Sequence, residues 1–128
     1  MTDDLILIRR ASPAMYGTQN NPILICSIQE GKFELTRAAA GLLGITDKGG
    51  IMFAFNKGAK TAYVTPDDEP DAFMVTRKND YRYRFASAVV RNYFIETFGI
   101  DRWQRKTYYF DMAKEPNNKG FYQIKLKA

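Results

Sequence analysis

At 128 residues the chain is sized for one domain with a core of its own, and its 45% hydrophobic and 26% charged content is that of a soluble globular protein. Its net charge is +5 and it contains no His, which removes the usual general base, the Ser-His and Cys-His nucleophile pairs and the commonest metal ligand. Gly49-Gly50 and Gly58 read as turn residues, not as a phosphate-cradling loop, so the composition predicts a non-enzyme without metal or cofactor.

Residues 5–8 are a short apolar run that reads as a strand, closed by Arg9 and Arg10. Residues 11–22 hold Pro13, Gly17, Asn20, Asn21 and Pro22 and read as an irregular loop or arm. Residues 23–29 read as a strand, in which Cys26 is a buried structural thiol; a lone Cys excludes an intramolecular disulfide and fits a reducing interior. Glu30-Gly31 turns the chain back into Lys32-Phe33-Glu34-Leu35, which alternates polar and apolar as a half-buried strand does. Thr36 is placed to cap a short helix over about 37–43, rich in Ala and Leu, which Gly44 ends. Residues 51–55 form an apolar run fit for a buried strand, and a turn around Gly58 leads to a further strand over 61–65.

Asp67-Asp68-Glu69-Pro70-Asp71, the only acidic cluster, reads as a solvated loop. Strands over 73–77 and 81–85 flank the tight turn Lys78-Asn79-Asp80. Ser87 starts the main helix, where Val90, Tyr93, Phe94, Thr97 and Phe98 recur at helical spacing, Val89 widens the stripe and Gly99 stops it. Strands over 105–111 and 121–127 complete the chain; in the last, Tyr122, Ile124 and Leu126 point one way and Gln123, Lys125 and Lys127 the other. The predicted class is α+β: an antiparallel β-sheet meander, with the short helix at about 37–43 and the longer amphipathic helix at about 88–98 packed on the sheet. A single domain spans 1–128, with the arm at 11–22, and no internal repeat is legible.

One stretch carries a resemblance. Gly31-Lys32-Phe33-Glu34-Leu35, then Leu43-Gly44-Ile45, then Thr46-Asp47-Lys48 and Ile51-Met52-Phe53 follow the order of a glycine, a basic residue and a strand, a helix ending Leu-Gly-Ile, a polar turn and a hydrophobic strand. This segment, 31–55, resembles the AbrB/SpoVT-type swapped-hairpin family of bacterial transition-state regulators and antitoxins. The resemblance implies an intertwined homodimer, with Ile23, Ile25, Phe33, Leu35, Leu42, Leu43, Ile51 and Phe53 at the oligomer interface, and DNA binding by basic residues such as Lys32. The chain as a whole is similar to small proteins of bacteria and their phages.

The charge is uneven. Between residues 77 and 106 lie eight basic and three acidic side chains, interleaved with Tyr81, Tyr83, Phe85, Tyr93 and Trp103. Tyr81-Arg82-Tyr83-Arg84-Phe85 has an aromatic face and an Arg face, and Arg grips phosphate bidentately and stacks on bases. Trp103, just after a helix, reads as a core anchor before it reads as a base platform. The expected function is a non-enzymatic nucleic-acid-binding module for DNA, single-stranded DNA included. Its contacts would be Arg77, Lys78, Arg82, Arg84, Arg91, Arg102, Arg105 and Lys106, with Arg82 and Arg84 foremost and Lys125 and Lys127 of less weight. The alternative is a structural or protein-interaction protein, such as a phage virion component or a partner-binding adaptor. The acidic start Met1-Thr2-Asp3-Asp4 and the lack of a span-length apolar run predict no membrane and a cytoplasmic location, in the host cytoplasm or the virion for a phage protein.

Overall fold

The computed structural model describes residues 21–127; the strand expected at 5–8 and the arm at 11–22, as far as residue 20, lie outside them. Among the described residues are eight strands: β1 (Ile23–Ser27), β2 (Lys32–Thr36), β3 (Lys48–Asn56), β4 (Thr61–Pro66), β5 (Phe73–Arg77), β6 (Arg82–Ala86), β7 (Thr107–Met112) and β8 (Tyr122–Leu126). Helix α1 (Arg37–Leu42) follows β2, and helix α2 (Ala88–Phe98) follows β6. Neighbouring strands are antiparallel in the order β1-β2-β6-β5-β3-β4-β8-β7, and β7 pairs back onto β1. The sheet is therefore a closed barrel, which corrects the open meander with helices laid on its face.

The reason for closure lies in the alternation of the strands. Phe33 and Leu35 point inward between Lys32 and Glu34, and Tyr83 and Phe85 point inward between Arg82 and Arg84. A sheet with one apolar face must cover it, and eight strands curl into a cylinder just wide enough for side chains to fill. Closure also removes the exposed edges that a meander would leave. Gly49 and Gly50 belong to β3, not to a turn; at Gly50 the carbonyl of Asp67 lies where a Cβ would stand.

The α2 stripe, expected on a sheet face, enters a mouth of the barrel instead. Phe94 is fully buried and meets the rings of Phe33, Phe53, Phe55, Phe98 and Phe110 at centroid distances between 4.8 and 5.7 Å. Val90, Thr97 and Phe98 are buried with it, whereas Val89 and Tyr93 face outward. The Tyr93 ring stacks on Phe55 at 5.1 Å. The N–H of Ser87 bonds the carbonyl of Gly31 at 2.9 Å, so α2 begins at the turn end of the β1–β2 hairpin. Thr36 Oγ1 accepts from the N–H of Ile23 at 3.0 Å, so α1 begins at the hairpin's open end. The two helices lie at opposite mouths.

An internal repeat emerges from this topology. Replacing β1–β4 by β5–β8 and the reverse reproduces the same ring of neighbours, so the barrel consists of two ββαββ halves that exchange partners. Both helices are capped alike. Thr36 accepts from the N–H of Ala39, and Ser87 from that of Val90. Gly44 and Gly99 take left-handed conformations with φ of 71° and 64°. The next residues, Ile45 and Ile100, are buried and donate back to Ala40 and Ile95 at 2.9 and 3.0 Å, the Schellman arrangement. At the seam between the halves, Glu34 on β2 faces Arg84 on β6 as the central pair of the register.

Five residues expected at an oligomer interface, Ile23, Phe33, Leu35, Leu43 and Ile51, are buried within this one chain; Ile25, Leu42 and Phe53 are half-buried. Their strands pair with β5, β6 and β7 of the same chain. Light scattering at micromolar concentration is accordingly expected to return the mass of one chain, and the mass of two chains would contradict it.

Candidate nucleic-acid interface

The basic segment 77–106 is continuous in sequence but not in space. β6 runs the length of the barrel wall, about 17 Å for five residues. Arg77, Lys78 and Arg82 stand at the α1 mouth, Arg84 midway along the wall, and Arg91, Arg102, Arg105 and Lys106 at the α2 mouth.

The Arg82 side of the barrel is largely neutralised. Lys78 Nζ lies 2.8 Å from Glu34 Oε2, and Arg82 Nε 3.4 Å from Glu34 Oε1. Arg77 donates to Asp80, which raises its pKa, and reaches Asp47 Oδ1 at 3.7 Å. Lys32 pairs with Glu30 at 3.4 Å. Arg84 alone of this group is exposed without an ion pair to a described residue; it lines a groove of about 530 Å³ with Lys32, Glu30, Met74 and Thr76. Arg91 is structural. Its guanidinium donates to the carbonyls of Ile28 and Gln29 at 3.1 and 3.2 Å and so ties α2 to the β1–β2 turn.

The loop between α2 and β7 is arranged differently. Asp101 Oδ1 accepts from the N–H of Trp103 at 2.9 Å, and the Asp101 carbonyl accepts from the N–H of Gln104 at 3.1 Å and from the Tyr108 hydroxyl at 2.8 Å. The backbone at Lys106 is held by the N–H of Ile28 at 2.9 Å. On this fixed loop Trp103 is 74% exposed, which corrects its expected place in the core. The Arg102 guanidinium lies over the indole at 5.2 Å from its centroid. Arg105 lies over the ring of Tyr108 at 5.8 Å and shares a hollow of about 230 Å³ with Gln104, Leu126 and Lys127.

That hollow joins the loop to the outer wall of β7 and β8. Tyr109, Lys125 and Lys127 are exposed there, and the N–H of Lys127 bonds the Tyr109 carbonyl at 2.9 Å. Asp111, the acidic residue of this wall, faces Lys125 in register. No described residue forms an ion pair with Arg105, Lys106, Lys125 or Lys127. Sequence reasoning placed Trp103 in the core first and missed Tyr109 as a surface group. The available signals were Asp101, placed to fold a turn under Trp103, and the period of two that sets Tyr109 between the inward Tyr108 and Phe110.

The remaining chemistry is quiet. Burial pushes the Cys26 thiol up to about 12, only partly offset by Arg91, so the sulfur is a packed apolar atom. Among the described residues no three of Cys, Asp and Glu converge as metal ligands. No helix among them is long and apolar enough to cross a membrane. Comparison with family models, curated proteins and solved structures finds no match to this chain.

Proposed function

We propose that this protein is a non-enzymatic nucleic-acid-binding module whose contact surface is the α2–β7 loop together with the outer wall of β7 and β8. The observation that carries the reading is the group Arg105, Lys106, Lys125 and Lys127, four cations without an ion pair to any described residue, on the loop and wall that also expose the rings of Trp103 and Tyr109. Unpaired cations attract phosphate and release its counterions, and exposed rings offer faces to bases. On the Arg82 side Glu30 and Glu34 pair with Lys32, Lys78 and Arg82, which leaves Arg84, so we place that side below the β7–β8 wall. The resemblance of 31–55 to swapped-hairpin DNA regulators bears on the local fold and not on DNA contact through that segment. On this reading the two ββαββ halves supply in one chain what that family obtains by pairing two.

A fluorescence-anisotropy titration with single-stranded and duplex oligonucleotides at several salt concentrations tests the proposal. Affinity is expected to fall with salt. The double variant Lys125→Ala plus Lys127→Ala should flatten the logarithmic slope by about 0.7 per lost contact on single strands. Arg82→Ala plus Arg84→Ala should change it less. Absence of binding by the unaltered protein near physiological salt would leave the alternative, a structural or partner-binding protein.

A further inference from the structure

We infer that Trp103 is a stacking platform for one unpaired base, which makes the protein selective for single-stranded over double-stranded nucleic acid. The inference rests on the nucleic-acid reading above and adds to it a residue and a ligand class.

Three features carry it. First, the ring is set out in water at 74% exposure, on a loop without slack: Asp101, Tyr108 and Ile28 hold the backbone on both sides of it. An aromatic group held in place loses little freedom when a partner stacks on it. Secondly, the Arg102 guanidinium occupies one face of the indole at 5.2 Å, which leaves the other face for a single planar partner. Thirdly, Arg105 and Lys106 follow within three residues and carry no ion pair to a described residue, so phosphates flanking a stacked base find cations on the same loop. A base inside a duplex is stacked on both faces and has none to offer. A base in a single strand, or at an unpaired end, does.

Trp103 is the only tryptophan in the chain, so its own fluorescence reports the contact. The test titrates the full chain with a homothymidine strand of about 12 nucleotides, within the span of one small binding domain, and with its duplex on homoadenine. The single strand is expected to quench Trp103, and the duplex to quench it far less. Trp103→Ala should bind the single strand roughly 5- to 150-fold more weakly, with Trp103→Phe recovering part of the loss. Melting of both variants should match the unaltered protein, since the side chain is outside the core. Salt-dependent binding with unchanged fluorescence and equal affinity for Trp103→Ala would overturn the platform and leave the nucleic-acid reading standing. No binding of either oligonucleotide by the unaltered protein, in anisotropy as in fluorescence, would overturn both.

Discussion

Phe94→Ala is expected to lower the free energy of unfolding by about 3–5 kcal/mol, the usual range for emptying a buried aromatic site. Phe94 has no exposed surface and is ringed by five other phenylalanines, contributed by β2, β3, α2 itself and β7. Those rings belong to strands paired around a closed circle, so they have little freedom to collapse into the space left behind. The loss would be a large part of a domain's typical margin of about 5–15 kcal/mol. Denaturant unfolding followed by far-UV circular dichroism reads it directly. Tyr93→Ala on the same helix is the control: its ring lies half in water and, among the described residues, touches the ring of Phe55 alone. If Phe94→Ala unfolds at the same denaturant concentration as the unaltered chain, α2 does not plug the barrel.

The second large effect is expected at Thr36. Its hydroxyl, wholly buried, accepts from the N–H of Ile23 at 3.0 Å and from that of Ala39 at 3.3 Å, and donates to the carbonyl of Asn21 at 2.6 Å. One oxygen therefore caps α1 and pins the start of β1. Thr36→Ala removes the cap and leaves a buried strand N–H without an acceptor, for a combined cost of about 2–4 kcal/mol. Thr36→Val keeps the shape and loses the oxygen, and should cost nearly as much. Thr36→Ser keeps the oxygen and should restore most of the stability. Equal melting temperatures for the Val and Ser variants would show that packing, not the hydroxyl, matters at this position.

The elements were legible wherever a local signal marks a boundary. Thr36 and Gly44 bracket α1, Ser87 and Gly99 bracket α2, and the polar-apolar alternation of Lys32-Phe33-Glu34-Leu35 gives β2 its faces. Closure was not legible, because it depends on β7 pairing with β1, some eighty residues apart in sequence, and no short motif encodes that. The repeat was hidden for a related reason. The halves agree at the caps, Leu43-Gly44-Ile45 against Phe98-Gly99-Ile100, while α2 is longer than α1 and displaces everything around the match. At the candidate site, charge density along the chain drew attention to 77–106, but β6 and α2 carry that segment from one mouth to the other. What decides which cations are available is the position of Glu30, Glu34, Asp47 and Asp80; Glu30 and Asp80 pair with near neighbours in sequence, whereas Glu34 and Asp47 reach Lys78, Arg82 and Arg77 only through strand order.

The seam where Glu34 faces Arg84 bears on how a ligand would lie. A barrel made from two copies of one short chain would set the residue at the centre of this seam against its own copy, acid against acid or base against base, and its two ends would be identical. With both halves on one polypeptide, matching positions are free to differ. They differ in charge at Glu34 and Arg84, in helix length, and in the loops that follow the helices, where Thr46-Asp47 on one side stands against the tryptophan-bearing turn on the other. The molecule thus has a front and a back. A nucleic-acid strand lying along the β7–β8 wall would meet the indole at one of its ends and never at both, so its 5′ and 3′ directions would not be interchangeable.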